Sequence, residues 1–87
     1  MDEFLNSIGI YQQGSQKGDK YIVDLEDSNE YDKVLNKLER ADVLEEDEDS
    51  SVVGYDSASS VFENDDYYIT LIADFKNDTY KLTVKEK

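Results

Sequence analysis

The chain has 87 residues, with 22 acidic and nine basic side chains and a formal net charge of −13. It holds no cysteine, histidine or proline, which excludes disulfides, thiolate metal sites and histidine-based catalysis. Its length predicts one domain, residues 1–87, with a small core, and the absence of a long apolar run or signal peptide favours a soluble, cytoplasmic protein.

The negative charge is confined to the middle of the chain. Residues 24–66 contain 16 acids and three bases, so they carry the whole excess of −13, while the remaining residues carry six of each. A field of this sign repels nucleic acid and anionic membranes and attracts basic surfaces. Five acids are consecutive, Glu45 to Asp49. Because crowded like charges destabilise a free protein, this run predicts a basic partner.

The hydrophobic pattern predicts an α+β fold, in which an antiparallel sheet of about four strands packs on one main helix. Residues 2–10 fit a short helix and residues 8–12 equally fit a strand. Residues 12–20 predict a loop or hairpin turn, and residues 20–26 alternate as a strand. The main helix covers about residues 27–41, starts with a capping box of Asp27 and Glu30, and buries one apolar stripe. The stripe consists of Tyr31, Val34, Leu35 and Leu38.

The pattern of the second half of the chain predicts mainly β structure. Residues 42–48 and 51–57 predict two short strands with the acids at the turn between them, and residues 58–66 predict a polar loop. The last 20 residues predict a hairpin with its turn at residues 76–78. Its core-facing residues are Tyr67, Ile69, Leu71, Ala73 and Phe75 on one strand and Tyr80, Leu82 and Val84 on the other.

The acidic residues match no specific metal-binding pattern. A calcium loop of the EF-hand type needs ligands at positions 1, 3 and 5, glycine at 6 and glutamate at 12. A frame from Asp47 puts Val52 at the glycine position, and a frame from Asp49 puts Val53 at the fifth. The four glycines are scattered and build no phosphate loop, and the chain has little volume for a catalytic pocket. We therefore expect no enzymatic activity, cofactor or metal.

Acids interleaved with tyrosines form the candidate partner-binding site. A strand advances about 3.3 Å per residue, so acidic residues on a strand or turn reach a charge density of the same order as duplex DNA, about one charge per 1.7 Å. Such a surface suits an arginine-rich groove that binds nucleic acid. The alternative is a solvated acidic loop that only keeps the protein soluble. The candidate residues are Glu45, Glu46, Asp47, Glu48, Asp49, Asp56, Glu63, Asp65 and Asp66, with Tyr55 and Tyr67 as aromatic anchors.

In its size, acidity, lack of cysteine and α+β pattern, the chain resembles the small acidic DNA-mimic inhibitors encoded by phages and other mobile elements. That class includes anti-CRISPR proteins and uracil-DNA glycosylase inhibitors. The resemblance implies a non-catalytic inhibitor in the bacterial cytoplasm that occupies the nucleic-acid-binding site of a host enzyme, such as a CRISPR nuclease.

Two other functions fit the same sequence. One is an immunity protein or antitoxin that neutralises a basic nuclease toxin. The other is a structural or interaction module whose acids serve solubility alone. Its binding face would then be apolar, for instance Tyr68 and Ile72 on the outer face of the last hairpin.

Overall fold

The fold is a seven-stranded antiparallel sheet with helices on one face. The computed structural model describes residues 2–87, in which the helices are α1 (Asp2–Ser7) and α2 (Ser28–Arg40). The strands are β1 (Ser15–Lys17), β2 (Lys20–Leu25), β3 (Glu45–Glu46), β4 (Val52–Val53), β5 (Ser57–Glu63), β6 (Tyr67–Asp74) and β7 (Thr79–Glu86). Their order is β1-β2-β7-β6-β5-β3, and β4 also pairs with β5. The α+β class is confirmed, but the predicted number of about four strands is wrong.

Strand β5 accounts for much of that error, since the sequence predicted a loop over residues 58–66. Only Ala58 and Phe62 are buried in this strand, and the inward position between them is Ser60. The serines therefore conceal the alternation of apolar and polar residues by which a strand is recognised. β5 pairs with β6 along its whole length. Its other side pairs with both β3 and β4, which do not pair with each other.

Helix α2 begins where the sequence predicts. The Asp27 side chain accepts a hydrogen bond from the backbone N–H of Glu30 at 2.9 Å. The Glu30 carboxylate accepts from the N–H of Glu26 at 2.7 Å, one residue before the position that a standard capping box uses. The helix packs its apolar stripe on the sheet, with Tyr31, Val34 and Leu38 buried and Leu35 partly buried.

The core lies between this helical layer and the inner face of the sheet. Leu5 and Ile10 contribute from the N-terminal segment, and the Phe4 ring lies 4.6 Å from that of Tyr67. The sheet contributes Tyr21, Val23, Leu25, Ala58, Phe62, Ile69, Leu71, Ala73, Tyr80, Leu82 and Val84. The predicted inward residues of the last hairpin are thus largely confirmed.

Phe75 departs from that prediction, because 46% of its surface is exposed. It follows the last residue of β6 and lies in the turn to β7, where strand alternation no longer applies. Its ring packs edge-on against those of Tyr31 and Tyr80, with centroids 5.9 and 6.1 Å away. The turn therefore joins an aromatic cluster at one end of the sheet.

The outer face of the sheet lies opposite the helices. Within residues 2–87, no helix covers it, and its side chains are half-buried or exposed. Neither described helix is long and apolar enough to span a bilayer.

Candidate functional site: an acidic sheet edge

The run of five acids lies at the edge of the sheet beside β5. Glu45 stands opposite Glu63, and Val52 stands opposite Ser59. Glu46 stands opposite Phe62, so five residues, 47–51, lie between that pairing and the Val52–Ser59 pairing, whereas only two residues of β5 lie between them. The extra residues form a turn. We call residues 45–53, which comprise β3, this turn and β4, the acidic edge.

Hydrogen bonds hold the acidic turn against β5. The N–H of Asp47 donates to the carbonyl of Val61 at 2.8 Å. The Ser51 hydroxyl accepts from the N–H of Val61 at 3.1 Å and donates to the carbonyl of Asp47 at 2.9 Å. The Ser51 hydroxyl thus provides the N–H of Val61 with an acceptor at a position where no neighbouring strand supplies one. The acids are consequently presented from a hydrogen-bonded turn.

The Asp47 side chain organises this turn from within. Its carboxylate accepts from the backbone N–H of Ser50 at 3.3 Å and from the Ser50 hydroxyl at 2.9 Å. Asp47 is half-buried, whereas Glu45, Glu46, Glu48 and Asp49 are exposed. Four of the five acids therefore face solvent, and the fifth also has a structural role.

A second acidic segment meets the first at one end of the edge. Glu63 faces Glu45 across the β3–β5 pair and forms an ion pair with Lys87 at 3.8 Å. In the following turn, the Asn64 side chain accepts hydrogen bonds from the N–H groups of Asp66 and Tyr67 at 2.9 and 2.8 Å. An open groove of about 230 Å³ lies between the two segments. It is lined by Asp42, Val43, Glu45, Glu63, Asn64, Asp65 and Lys87. The fold thus brings together acids that lie about 20 residues apart in sequence.

The two predicted aromatic anchors occupy different environments. Tyr67 is half-buried and stacks on Phe4, so most of its ring serves the core. Tyr55 is 99% exposed at the tip of the β4–β5 hairpin. Next to it, the Asp56 carbonyl accepts from the N–H of Phe75 at 2.8 Å, and Gly54 N–H donates to the carbonyl of Ser57 at 2.7 Å. Tyr55 is therefore a free side chain on a well-held backbone.

Tyr55 and Asp56 lie at the far end of β5 from Glu63. Six strand steps separate Ser57 from Glu63, which corresponds to about 20 Å. Most candidate residues accordingly lie along the edge of β5, with most carboxylates towards one end and the hairpin tip at the other. Glu45 and Glu46 point to opposite faces of the sheet, and Tyr67 lies on β6.

Val52 and Val53 belong to this surface, although the sequence indicated only that they form a strand. Their side chains are 62% and 86% exposed, because β4 is two residues long and lies at the edge of the sheet. Together with Tyr55 they place three exposed apolar side chains within four residues. Their exposure depends on which strands neighbour β4, and the local sequence does not predict strand pairing.

Little of the negative charge of the acidic edge is neutralised within the protein. Among the described side chains, lysines form ion pairs with Asp24, Asp19 and Glu63, at 3.9, 3.5 and 3.8 Å. Among residues 2–87, no lysine or arginine forms an ion pair with residues 45–49. Nor do residues 2–87 contain a group of three or more carboxylates arranged to hold a metal ion. The charge of the edge is available to a basic partner.

No protein-family model, curated protein or solved structure matches the chain. The functional assignment therefore depends on the geometry and charge of this edge.

Proposed function

We propose that the protein is a non-catalytic inhibitor that binds the basic nucleic-acid groove of a bacterial enzyme, with a CRISPR nuclease as the first candidate. The observation that carries the proposal is the acidic turn itself. Five consecutive acids are held against β5 by hydrogen bonds from Asp47 and Ser51, and none of them pairs with a base among the described residues.

The chemistry of such a complex follows from the carboxylates. Arginine forms paired hydrogen bonds with a carboxylate much as it does with a phosphate, so a groove built for a nucleic-acid backbone also accepts a line of acids. Because the turn is already ordered, binding does not have to immobilise a flexible loop, which would cost affinity. Glu45 and Glu63 repel each other across the strand pair, and a basic side chain of the partner that approaches both would reduce this repulsion.

The exposed apolar side chains at the β4–β5 hairpin add a contribution to the binding energy that charge alone does not give. Tyrosine is enriched among the residues that dominate binding energy, and Val53 in the acidic edge and Tyr55 just beyond it are exposed over 86% and 99% of their surface. They would contact apolar surface beside the basic groove, and their contribution would persist at high salt, where that of the acids is screened.

The test starts with capture on the immobilised protein from a nuclease-treated bacterial lysate at low salt. Proteins released by a salt step are identified by mass spectrometry, and the purified partner is then titrated with short duplex DNA. We expect the partner to be a basic nucleic-acid-binding protein and the duplex to displace it competitively.

Charge reversal at the edge gives the decisive comparison. The triple variant Glu46→Lys, Glu48→Lys and Asp49→Lys keeps Asp47, which holds the turn. It should weaken binding at least about 100-fold, mainly through a slower on-rate, and the binding that remains should depend less on salt. Its matched control, Glu3→Lys, Glu39→Lys and Glu86→Lys, makes the same change in net charge at exposed positions elsewhere. Equal losses in the two variants, or a partner that duplex DNA does not displace, would refute the proposed function.

A further inference from the structure

The outer face of the sheet carries a row of residues whose charge reverses from one side to the other. The strand register places Lys20 opposite Lys85, Lys85 opposite Tyr68, Tyr68 opposite Glu63, and Glu63 opposite Glu45. Residues opposite one another in a sheet point to the same face. Reading across β2, β7, β6, β5 and β3, the row is thus two lysines, a tyrosine and two glutamates.

This row contains two pairs of like charges in direct opposition, an arrangement that destabilises a sheet. Lys85 and Glu63 are partly compensated by Asp19 and Lys87, at 3.5 and 3.8 Å. The Lys85–Asp19 pair is exposed and contributes about 0–1 kcal/mol, so it exchanges partners at little cost, whereas the Lys87–Glu63 pair is half-buried. Both repulsions would be offset if the lysine half of the row met a glutamate half.

We propose that two copies of this chain pack through their outer sheet faces, related by a two-fold axis that runs along β6. A rotation about that axis exchanges the two halves of the row, so Lys85 of one copy faces Glu63 of the other, and Lys20 faces Glu45. Such an interface is self-complementary, as two-fold symmetry requires. The charge complementarity of the row selects a second copy as the occupant.

The residues on the axis suit this arrangement. Tyr68 and Ile72 alternate on β6 with the buried positions, and they are 44% and 43% exposed. In the proposed dimer Ile72 would meet its own counterpart and bury apolar area. Tyr68 would meet its counterpart once the Lys87 ammonium, which lies 4.7 Å from the centre of its ring, moves aside. Beside them, an open trough of about 500 Å³ reaches from Lys20 and Lys85 to Asp47 in the acidic turn. The turn therefore stands beside the face at the position where Lys20 of the second copy would arrive.

The size of the face sets the strength of the contact. Five strands about 4.8 Å apart, over about 17 Å of their length, give roughly 400 Å² of projected area per copy. That is smaller than the roughly 800 Å² per partner of a standard stable interface, so the dimer should be weak and concentration-dependent. Two bodies of charge −13 also repel each other. Added salt screens this long-range repulsion more than it screens the close contacts of the row, so it should strengthen the dimer. In contrast, it weakens binding of the acidic edge to a basic partner.

Sedimentation equilibrium of the purified chain tests the dimer without any knowledge of a partner. Between about 10 μM and 1 mM protein, the mean mass should rise from 10.0 kDa towards twice that value, and further at about 0.5 M NaCl than at low salt. Lys85→Glu should lower the association constant at least about tenfold, as should the uncharged change Ile72→Ser. The double variant Glu63→Lys with Lys85→Glu keeps the net charge and recreates the pair in reverse, so it should restore association to within about threefold.

Two variants on α2 control for net charge. Lys33→Glu matches the charge change of Lys85→Glu, and Glu39→Lys matches the Glu63→Lys change within the double variant, at exposed positions on the other layer. They should change the association constant less than about threefold. The proposal is wrong if the chain stays monomeric at every concentration and salt level. It is equally wrong if Lys85→Glu behaves like Lys33→Glu, or if the double variant associates no better than Lys85→Glu.

Discussion

Ser51 shows how one hydroxyl sets the position of a whole charged turn. It accepts from the N–H of Val61 and donates to the carbonyl of Asp47, so it joins β5 to the start of the turn. No carboxylate in the run makes a comparable link through its side chain to β5 in the described part of the chain. The geometry of the acidic surface therefore depends on an uncharged residue.

Replacement of Ser51 by alanine should destabilise the protein and loosen the turn. The N–H of Val61 loses its partner in a partly buried position, which should cost about 1–2 kcal/mol of unfolding free energy. Urea unfolding measures that loss, and amide hydrogen exchange should become faster at Val61. Ser50→Ala is the matched control, because its hydroxyl bonds to the Asp47 carboxylate within the turn and not to β5. Equal stability and equal exchange in the two variants would contradict this role of Ser51.

At the scale of secondary-structure elements, an aromatic cluster ties α2 to the last hairpin. The ring centroids of Tyr31 and Tyr80 lie 5.5 Å apart, and both rings contact Phe75. Burial raises the pKa of Tyr31, with Asp32 and Glu39 adding to the effect. The hydrogen bond to Asp78 raises the pKa of Tyr80, and burial adds to it. Both phenols thus hold their protons more tightly in the folded protein than in the unfolded chain.

This difference predicts a loss of stability in alkaline solution. Below about pH 9 both states keep these protons, so the contribution is constant. As the pH rises through 10, the unfolded chain releases its protons first, and the unfolding free energy falls until the folded phenols also ionise. Urea unfolding between about pH 8 and 11 should therefore show a shallower fall for Tyr31→Phe than for the natural chain. Lysine deprotonation affects both alike, so parallel curves would contradict the prediction.

The elements differ in how far the sequence predicts them. α2 and the β6–β7 hairpin have strong periodicity and a recognisable cap, so their positions follow from local pattern. β5 does not, because Ser60 occupies an inward position and only Ala58 and Phe62 mark the buried side. Two short strands were predicted over residues 42–48 and 51–57, but only Glu45–Glu46 and Val52–Val53 form strands. Both pair with β5, and strand partners are not encoded locally.

The candidate site was predictable in composition but not in arrangement. The run Glu45 to Asp49 is evident as charge, whereas its contact with Glu63 depends on the register of β3 against β5. The exposure of Val53 depends on β4 being the last strand at that part of the edge. Long-range pairing decides both features.

At the scale of the whole molecule, a net charge of −13 is carried by a body of 31 × 27 × 24 Å. The unfolded chain spreads the same charges over a larger volume, so folding increases their mutual repulsion. Few ion pairs offset it among the described side chains. The protein should accordingly be more stable when its charges are screened.

Raising NaCl from about 0.02 to 0.5 M shortens the screening length from over 20 Å to about 4 Å. The unfolding free energy measured with urea should rise over this range. The charge-reduced control Glu3→Lys, Glu39→Lys and Glu86→Lys should show a smaller rise, because less repulsion remains to be screened. A stability that falls with salt would mean that attractive ion pairs dominate the molecule.

The interruption of the strand at the sheet edge also bears on aggregation. Fibrils grow when an incoming chain adds to a long, uninterrupted row of free backbone groups. Here β3 and β4 cover β5 in two short pieces, and a bulging turn with three carboxylates separates them. A strand approaching from outside finds at most two consecutive residues to extend and meets concentrated negative charge beside them. A chain without a single proline thus protects this edge of its sheet from polymerisation.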